Sequence, residues 1–298
     1  MFGLLNFYKP AGISSYDVIR RLRRPLGRQV KLGHAGTLDP LAEGVLVVCV
    51  GPATRLARLV QSRQKEYVVT AELGAVSSTD DAEGQLEPTA GAAAPTREAV
   101  EVALGGFVGR IEQVPPAHSA VKVAGQRAYK LARRGQAPKM TARPVTVEAI
   151  EVLAYEYPRL RLRVVCGTGT YIRSLVRDIG AQLGTGGYCR ELIRTRVGPF
   201  RAEQAARMDS LAAPSGIEAA LIPPIEAVPP EARVKVTTED IRSLAQGRAV
   251  AASAELAAAG ESPEELGAVG PGGRLVALLR YDRAKQLLRP AKVFVGKD

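Results

Sequence analysis

Alternating apolar and polar positions predict strands in two stretches of the chain. From Tyr67 to Leu73 in KEYVVTAEL every second residue is apolar, and in RLRLRVVCG, residues 159–167, apolar residues alternate with arginines. A period of two is typical of a strand whose two faces meet different surroundings. The run GVLVVCVG, residues 44–51, is apolar and β-branched throughout, which predicts a buried strand. Near the C-terminus, RLVALLRY and LLRPAKVFV are further strand candidates.

Apolar residues at helical spacing predict three longer helices. Ser14 or Ser15 is the candidate N-cap of the first helix, and Thr96 is the candidate N-cap of the second. The third helix is expected directly after the GTGT segment. The apolar positions are Val18, Ile19 and Leu22 in the first, Val100, Ala103, Leu104 and Phe107 in the second, and Ile172, Leu175, Val176, Ile179 and Leu183 in the third.

These elements mix without strict strand–helix–strand alternation, which predicts an α+β fold with a mixed or antiparallel sheet. The segment LIPPIEAVPPEAR contains four prolines and predicts a domain boundary near residue 229. We therefore expect a large domain over residues 1–228 and a small β-rich domain over residues 229–298. In the small domain, TTEDIRSLAQG predicts a short capped helix ended by Gly247. EPTAGAAAP is expected to be a surface loop, and residues 249–273 a low-complexity surface insertion.

Composition excludes few classes of protein, but it indicates the cellular location and the redox state of the cysteines. No stretch of 18 apolar residues is present, and the N-terminus lacks the basic start of a signal peptide, so we expect a cytoplasmic protein with no membrane span. The three cysteines include no CxxC pair, and Cys49 and Cys166 lie in strand-like runs. Buried reduced thiols are favoured over a disulfide or a metal site. His34 and His118 are far apart in sequence and predict no zinc site.

The charge of the chain points to a polyanionic partner. The net charge is +11 and the isoelectric point about 9.8. The alternative is a solvated basic surface or an arginine-rich composition. Clustering favours a nucleic acid. The basic residues gather in a segment free of acids from Gln113 to Val147 (Lys122, Arg127, Lys130, Arg133, Arg134, Lys139 and Arg143), in an N-terminal group (Arg20, Arg21, Arg23, Arg24, Arg28 and Lys31) and near the C-terminus (Arg274, Arg280, Arg283, Lys285, Arg289, Lys292 and Lys297).

Asp39 is the acid that stands out, in the segment GHAGTLDPLAEGVL. Pro40 favours an extended conformation for the residue before it, and the glycines of this segment, such as Gly36, permit tight turns and the close approach of a ligand. Asp39 is either a helix N-cap or a site acid held rigidly beside the buried strand. Spacing alone does not decide between the two.

The same segment resembles the catalytic motif of the TruB family, the tRNA pseudouridine-55 synthases. Further segments resemble motifs of that family in the expected order, namely NFYKPAGISSYDVI, KEYVVTAELG, VPPAHSAVKVAGQRAYKLARRG, GTYIRSLVRDIG and LIRTRVGPF. The chain departs from the family at Ser78, where an acid is usual, and at Ile193, where an arginine is commoner. The resemblance implies a pseudouridine synthase catalytic domain followed by a PUA-like RNA-binding domain.

The resemblance also implies the reaction. Uridine becomes pseudouridine when the N1–C1′ bond breaks, the base turns and C5 bonds to C1′, and no cofactor is needed. Asp39 is then the catalytic carboxylate, as a nucleophile at the sugar or the base or as the base that removes a sugar proton. A dry pocket disfavours an ionised carboxylate, so a cation is expected beside it, and Arg173 matches that position. Without the resemblance, Arg173 is an exposed charge near a helix start.

The remaining site residues are likewise implied by the resemblance. Tyr67 matches a tyrosine that stacks on the target base and assists removal of the C5 proton; the alternative is a core tyrosine. Tyr171 and Leu192 match a second pocket tyrosine and an apolar wall. His34 matches a histidine that fills the space left by the flipped base. Residues with an expected structural role near the site are Lys9, Pro10 and Gly36.

The expected partner is the T-stem-loop of tRNA, bound by a monomer that needs no protein partner. A basic insertion at about residues 110–145 is expected to clamp the RNA through Lys122, Arg127, Tyr129, Lys130, Arg133 and Arg134. The C-terminal domain would extend contact toward the acceptor stem. Two alternatives remain open, a non-catalytic RNA-binding or tRNA-folding factor and a guide-RNA-dependent pseudouridine synthase.

Overall fold

The computed structural model describes residues 1–119, 121–123, 125–128, 131, 134, 136, 140–253, 256 and 265–295. The side chains of Lys122, Val123 and Arg127 are outside that description. In these residues the strands are β1 Gly3–Lys9, β2 Leu32–His34, β3 Glu43–Val50, β4 Lys65–Leu73, β5 Ala75–Ser77, β6 Leu86–Pro88, β7 Gly109–Gln113, β8 Lys122–Val123, β9 Gln126–Arg127, β10 Arg143–Glu156, β11 Arg159–Cys166, β12 Gly187–Val197, β13 Phe200–Arg201, β14 Arg233–Lys235, β15 Val250–Ala251, β16 Leu266–Val269, β17 Leu275–Asp282 and β18 Leu287–Val293.

The helices cover less of the chain than the strands. The α-helices of the described residues are α1 Ser15–Leu26, α2 Ala57–Gln61, α3 Arg97–Gly105, α4 Ile172–Gln182, α5 Pro214–Ala219 and α6 Thr238–Ala245. Ser14, Thr96 and Thr237 cap α1, α3 and α6, each accepting a hydrogen bond from a backbone N–H of the first turn. No helix of the described residues is long and apolar enough to cross a membrane.

A central sheet with the strand order β1-β3-β12-β4-β11-β10-β7 organises the large domain. Its strands pair in antiparallel fashion except β3 and β12, which run parallel, so the predicted mixed sheet and α+β class are confirmed. Gly44 is essential to the parallel contact. It has φ +102°, and a Cβ at this position would collide with the backbone of Arg194 on β12. The close approach of these two strands brings β12 next to the segment that precedes β3.

Two buried clusters lie on opposite faces of the sheet. Along β3, Leu46 and Val48 belong to the cluster under α1, α3 and α4, whereas Val45 and Val47 belong to the other. This explains why β3 is apolar at every position, since both of its faces are covered. In β4 every second residue is buried, as the alternation predicted. Cys49, Cys166 and Cys189 are all buried and form no disulfide.

The C-terminal residues form a second sheet with the order β14-β16-β17-β18-β15. This sheet is not joined loosely to the rest of the chain. Val228 of the proline-rich segment shares one buried cluster with Val45 of the central sheet, and the rings of Phe2 and Phe294 lie 5.2 Å apart. The boundary near residue 229 and the PUA-like assignment therefore stay predictions, with a segment at the boundary that is packed rather than free.

Two expectations about loops were wrong in part. Glu87 and Pro88, expected in a surface loop, form β6, which pairs with β5 at the surface. The segment 249–273, expected to be a surface insertion, contributes the strands β15 and β16, and Leu266 and Ala268 of β16 are buried. A short exposed segment and a strand rich in alanine and glycine carry little of the alternation by which strands are recognised. Much of the middle of the insertion lies outside the described residues.

Candidate active site

The segment that carries Asp39 is held from both sides by the N-terminal motif. Ser15, at the start of α1, accepts a hydrogen bond from the N–H of Leu38 at 2.8 Å, and its hydroxyl lies 3.0 Å from the carbonyl oxygen of the same residue. Both side chains are buried. The backbone immediately before Asp39 is therefore fixed by a single side chain.

Lys9 fixes the backbone on the other side of Asp39. Its ammonium donates to the carbonyl oxygens of Pro10, Ile13 and Pro40, at 2.9, 2.8 and 3.2 Å. The three donors of the ammonium thus have three acceptors, which compensates for its full burial. Burial, partly offset by Asp39, lowers the pKa of Lys9 to about 8. The expected structural role of Lys9 and Pro10 consequently has a geometric basis.

Arg173, in the first turn of α4, lies against Asp39. Its Nε is 2.9 Å from Asp39 Oδ2, an ion pair whose geometry is not that of a hydrogen bond. Nη1 is 2.8 Å from Asp81 Oδ2 and also donates to the carbonyl of Thr79, while Nη2 donates to the carbonyl of His118 at 2.9 Å. The side chain of Arg173 is only 4% exposed, so it is not a surface charge.

Two carboxylates, Asp39 and Asp81, stabilise the positive charge of the buried Arg173 side chain. Burial alone lowers the pKa of Arg173, but the carboxylates of Asp39 and Asp81 outweigh that effect and raise it. An arginine held this way is always charged. Asp39 keeps 34% of its side chain exposed and faces the cleft, whereas the Asp81 side chain is 4% exposed. Arg173 therefore joins a reachable carboxylate to a buried one.

Tyr67 and Arg194 are direct partners on β4 and β12. The Arg194 guanidinium is buried and donates to the carbonyls of Val45, Gly36 and Thr37 at 2.7, 3.2 and 3.3 Å. It thus ties the turn before Asp39 to the central sheet. Burial raises the pKa of Tyr67, an effect that Arg194 partly opposes, so the hydroxyl remains protonated at neutral pH.

One cleft of about 820 Å³ is lined by Ser15, Asp39, Tyr67, Asp81, Arg173 and Arg194. It brings together the following residues that the sequence singled out: His34, Gly36, Asp39, Tyr67, Tyr171, Arg173 and Leu192. Gln113, which is buried, positions Tyr171 through hydrogen bonds to its backbone N–H and carbonyl. Burial lowers the pKa of His34 and keeps the ring neutral, and its Nδ1 makes no hydrogen bond within the described residues. A cleft of this size, lined by aromatic, apolar and a few charged groups, suits a nucleotide.

Three residues that hold the site were not recognised from the sequence. Asp81 lies 92 positions from Arg173 in the chain, and Arg194 is a buried cation in a strand. Ser15 was considered only as a helix cap, a role that Ser14 takes. For Asp81 the available signal was a pair of adjacent acids in SSTDDAEG, which is compatible with a surface turn. Ser78 itself is exposed in that turn.

The residues expected to clamp RNA are described only in part. Lys122 and Arg127 are partners in the hairpin of β8 and β9, and their side chains lie outside the description. Arg134 is exposed. Tyr129, Lys130 and Arg133 lie outside the described residues. Their proposed contacts stay predictions from the sequence.

Metal chemistry has no candidate site in the described part of the chain, where no three His, Cys, Asp or Glu residues are grouped as ligands. Two of the carboxylates that line the cleft are instead paired with an arginine. Arg173 lies 2.9 Å from Asp39 and 2.8 Å from Asp81. The arrangement can therefore hold a reactive carboxylate beside a fixed cation in a cleft with aromatic walls.

The family models and the relatives that match this chain carry descriptions of the same kind of protein. A family model described as the N-terminal domain of TruB family pseudouridylate synthases matches residues 23–172, and one described as the C-terminal domain of tRNA pseudouridylate synthase B matches residues 173–227. A Mycolicibacterium paratuberculosis protein named tRNA pseudouridine synthase B is 42% identical over 297 residues, which cover 97% of this chain and 98% of that protein. A Thermobifida fusca protein of the same name is 42% identical over 303 residues, with 99% of each covered.

Solved structures give the same fold. This chain aligns over its whole length with 86% of a chain in a Cbf5-Nop10-Gar1 complex, at a TM-score of 0.77 and 27% identity. A chain of an H/ACA RNP bound to a substrate RNA that contains 2′-deoxyuridine aligns over the same shares, at a TM-score of 0.76 and 25% identity.

Proposed function

The chain belongs to the TruB family of pseudouridine synthases, and we propose that the uridine it isomerises is position 55 in the T-loop of tRNA. Its full-length relatives are tRNA pseudouridine synthases, and this chain is likewise an isomerase that converts uridine in tRNA to pseudouridine. The observation that supports the proposed site is the ion pair between Asp39 and Arg173 at the wall of the cleft.

Asp39 is the reacting group in this proposal. The carboxylate is partly exposed to the cleft, and the backbone before and after it is tied down by Ser15 and Lys9. A reacting atom that is already positioned loses little entropy on the way to the transition state. Arg173 lies 2.9 Å from the carboxylate and compensates its negative charge when RNA excludes water from the cleft. Either role of the carboxylate, as nucleophile or as base, requires this ionised form.

The walls of the cleft hold the extruded base. Tyr67 lines the cleft with 8% of its surface exposed, Leu192 gives an apolar wall, and Tyr171 lies at the start of α4. A T-loop uridine must leave its stack to reach Asp39, which costs a few kcal/mol, and contacts with these side chains offset that energy. The neutral ring of His34 is suited to fill the gap left in the loop. A proton leaves C5 and N1 gains one, so no net oxidation occurs and no cofactor enters.

The remaining contacts with tRNA are assigned by charge. We assign the basic segment 110–145 to the T-arm and the C-terminal sheet to the acceptor stem, as a PUA-like RNA-binding domain. The net charge of +11 supports both assignments. The full-length relatives support an enzyme that works as a single chain on tRNA, and we propose a monomer in the cytoplasm with no obligatory protein partner.

The test uses the purified chain and an unmodified tRNA transcript labelled with tritium at C5 of uridine, without guide RNA or other proteins. We expect release of one tritium per tRNA and a pseudouridine at position 55, located by chemical modification and primer extension. A transcript with cytidine at position 55 should release none. Binding without tritium release would instead identify an RNA-binding factor. Activity that appears only with a guide RNA would instead identify a guide-RNA-dependent pseudouridine synthase.

A further inference from the structure

Tyr16 is the only exposed aromatic side chain among the described residues, with 62% of its surface accessible. It lies at the mouth of the candidate active-site cleft, beside Ser14 and Ser15. An aromatic ring at such a place is either incidental or a platform for another flat ring. The neighbouring charges distinguish these two cases.

The helix that carries Tyr16 cannot turn the ring inward. Val18, Ile19 and Leu22 bury the opposite face of α1 in the core. The first turn is locked by a capping box, in which Ser14 accepts from the N–H of Asp17 and the Asp17 carboxylate accepts from the N–H of Ser14. Tyr16 is therefore presented to solvent by a rigid element.

Arg20 and Arg24 continue from Tyr16 along one stripe of the helix. Residues four apart lie on the same face, and each step of four advances about 6 Å along the axis. Both arginines are exposed. Arg20 pairs with Asp17 at 2.8 Å, but an exposed ion pair contributes little to stability, so breaking it to bind a phosphate costs little free energy. Within the described residues Arg24 makes no ion pair.

The charge of this helix is not balanced locally. Within α1, residues 15–26, there are four basic residues and one acid, and two more basic residues follow by residue 31. Neither the ion pair of Asp39 nor the proposed clamp at 110–145 uses any of these basic residues. An exposed basic face is often only solvated, but here it starts at an aromatic ring on the rim of the cleft. Aromatic rings next to aligned cations are the common means of holding single-stranded RNA.

We propose that Tyr16, Arg20 and Arg24 form a binding surface for the RNA strand next to the target nucleotide, the α1 surface. Tyr16 stacks on a base that is unpaired when the target is extruded, and the two arginines meet the phosphates that follow. The α1 surface rests on the proposed function for its ligand. It adds a contact on the side of the cleft formed by α1, separate from the basic segment 110–145.

The test measures the affinity of a T-arm RNA for the full chain, apart from turnover. Stacking on one base typically changes affinity by about fivefold to a hundredfold. We expect Tyr16→Ala to weaken binding within that range and Tyr16→Phe to bind like the wild type, since phenylalanine keeps the ring. The thermal midpoint should stay unchanged, because the side chain is exposed.

Abasic RNAs identify the base that Tyr16 contacts. With an abasic site at one position next to the target uridine, wild type and Tyr16→Ala should bind equally, since the stacking partner is gone from both. At every other position Tyr16→Ala should remain the weaker binder. A penalty that persists for every abasic RNA would overturn the stacking assignment.

The arginines are tested by salt dependence. Each lost phosphate contact makes the slope of log affinity against log salt shallower by about 0.7 to 0.9, so Arg20→Ala with Arg24→Ala should change it by roughly 1.4 to 1.8. The matched control is Arg159→Ala with Arg161→Ala, on the face of β11 opposite to the buried Leu160 and Leu162. An unchanged slope, or an equal change in the control, would overturn the proposed phosphate contacts.

Failure of this inference is distinguishable from failure of the proposed function. If the wild type forms no pseudouridine in tRNA, the proposed function is wrong, whatever the affinities are. If the wild type forms pseudouridine and Tyr16→Ala binds the T-arm as tightly as wild type, the α1 surface is wrong and the function stands.

Discussion

Replacing Asp81 by asparagine removes one of the two carboxylates that hold Arg173 and preserves the size of the side chain. Asp81 Oδ1 accepts from Thr79 Oγ1 and from the N–H of Glu83, and these bonds can survive in the amide. Oδ2, however, faces Arg173 Nη1 at 2.8 Å. With the amide group at that position two donors face each other and a buried charge loses its nearest partner.

The expected destabilisation follows from the burial of this pair. Removing one member of a buried ion pair costs about 3–5 kcal/mol. Arg173 retains Asp39 and two backbone carbonyls, which favours the lower limit, about 3 kcal/mol. In a chain of this size that corresponds to a thermal midpoint lower by roughly 6–12 °C.

The rate of pseudouridine formation by folded Asp81→Asn should also fall, in addition to the loss of stability. Arg173 no longer has a fixed position against Asp39, and a displacement of about 1 Å at a reacting group can reduce the rate about a hundredfold. The assay is single-turnover formation of pseudouridine at saturating tRNA, at a temperature where the variant is folded. We expect a rate about a hundredfold lower with tRNA affinity within a few-fold.

Asp80→Asn is the matched control. Asp80 is the adjacent residue and also pairs with an arginine, Arg177, at 2.9 Å, but the two side chains are 14% and 29% exposed. Arg177 also keeps Asp178 at 2.8 Å and makes no contact with Asp39 within the described residues. Asp80→Asn should turn over within a few-fold of wild type. A wild-type rate in Asp81→Asn, or equal losses in the two variants, would refute the idea that the buried carboxylate positions Arg173.

Four further variants test other parts of the protein. Ser15→Ala leaves the buried backbone N–H and carbonyl of Leu38 unpaired, so it should destabilise the protein by about 2–3 kcal/mol and slow turnover, while Ser14→Ala should lose about 1 kcal/mol of capping energy and keep its rate in the same assays. Tyr67→Phe should lower the single-turnover rate at least tenfold if the hydroxyl takes part in proton transfer, and an unchanged rate would restrict the ring to stacking. Deleting residues 229–298 should weaken tRNA binding and also lower the thermal midpoint, because the deleted sheet shares a buried cluster with the central sheet; a deletion that melts like the full chain would contradict this packing.

The sequence predicted elements whose faces differ sharply in burial, and it predicted β3, whose faces are both buried. Alternate residues are buried along β4 and in the first half of β11, and in α1 Ser14 caps a helix with one buried face, so periodicity and capping were sufficient. The strands β10 and β12 were missed for physical reasons. In β10 most side chains are exposed or half-buried, and β12 contains two irregularities and the buried cation Arg194.

The candidate site was recognised only as far as the motifs extend. The motifs supplied Asp39, Tyr67 and Arg173, and the structure brings them to one cleft, while their roles stay predictions. Asp81 and Arg194 hold this group in place through tertiary contacts that no local pattern specifies. A buried ion pair between distant segments depends on the complete fold, so only the structure shows it.

The turnover of Asp39→Asn tests most directly whether the Asp39 carboxylate carries out the reaction. The variant and the wild type are compared by tritium release from tRNA labelled at C5 of uridine, under single-turnover conditions, with tRNA affinity measured in parallel. We predict no detectable release by Asp39→Asn and an affinity within a few-fold of wild type, since the amide keeps the size of the side chain but cannot act as a nucleophile or a base. Substantial release by Asp39→Asn would show that this carboxylate does not carry out the reaction.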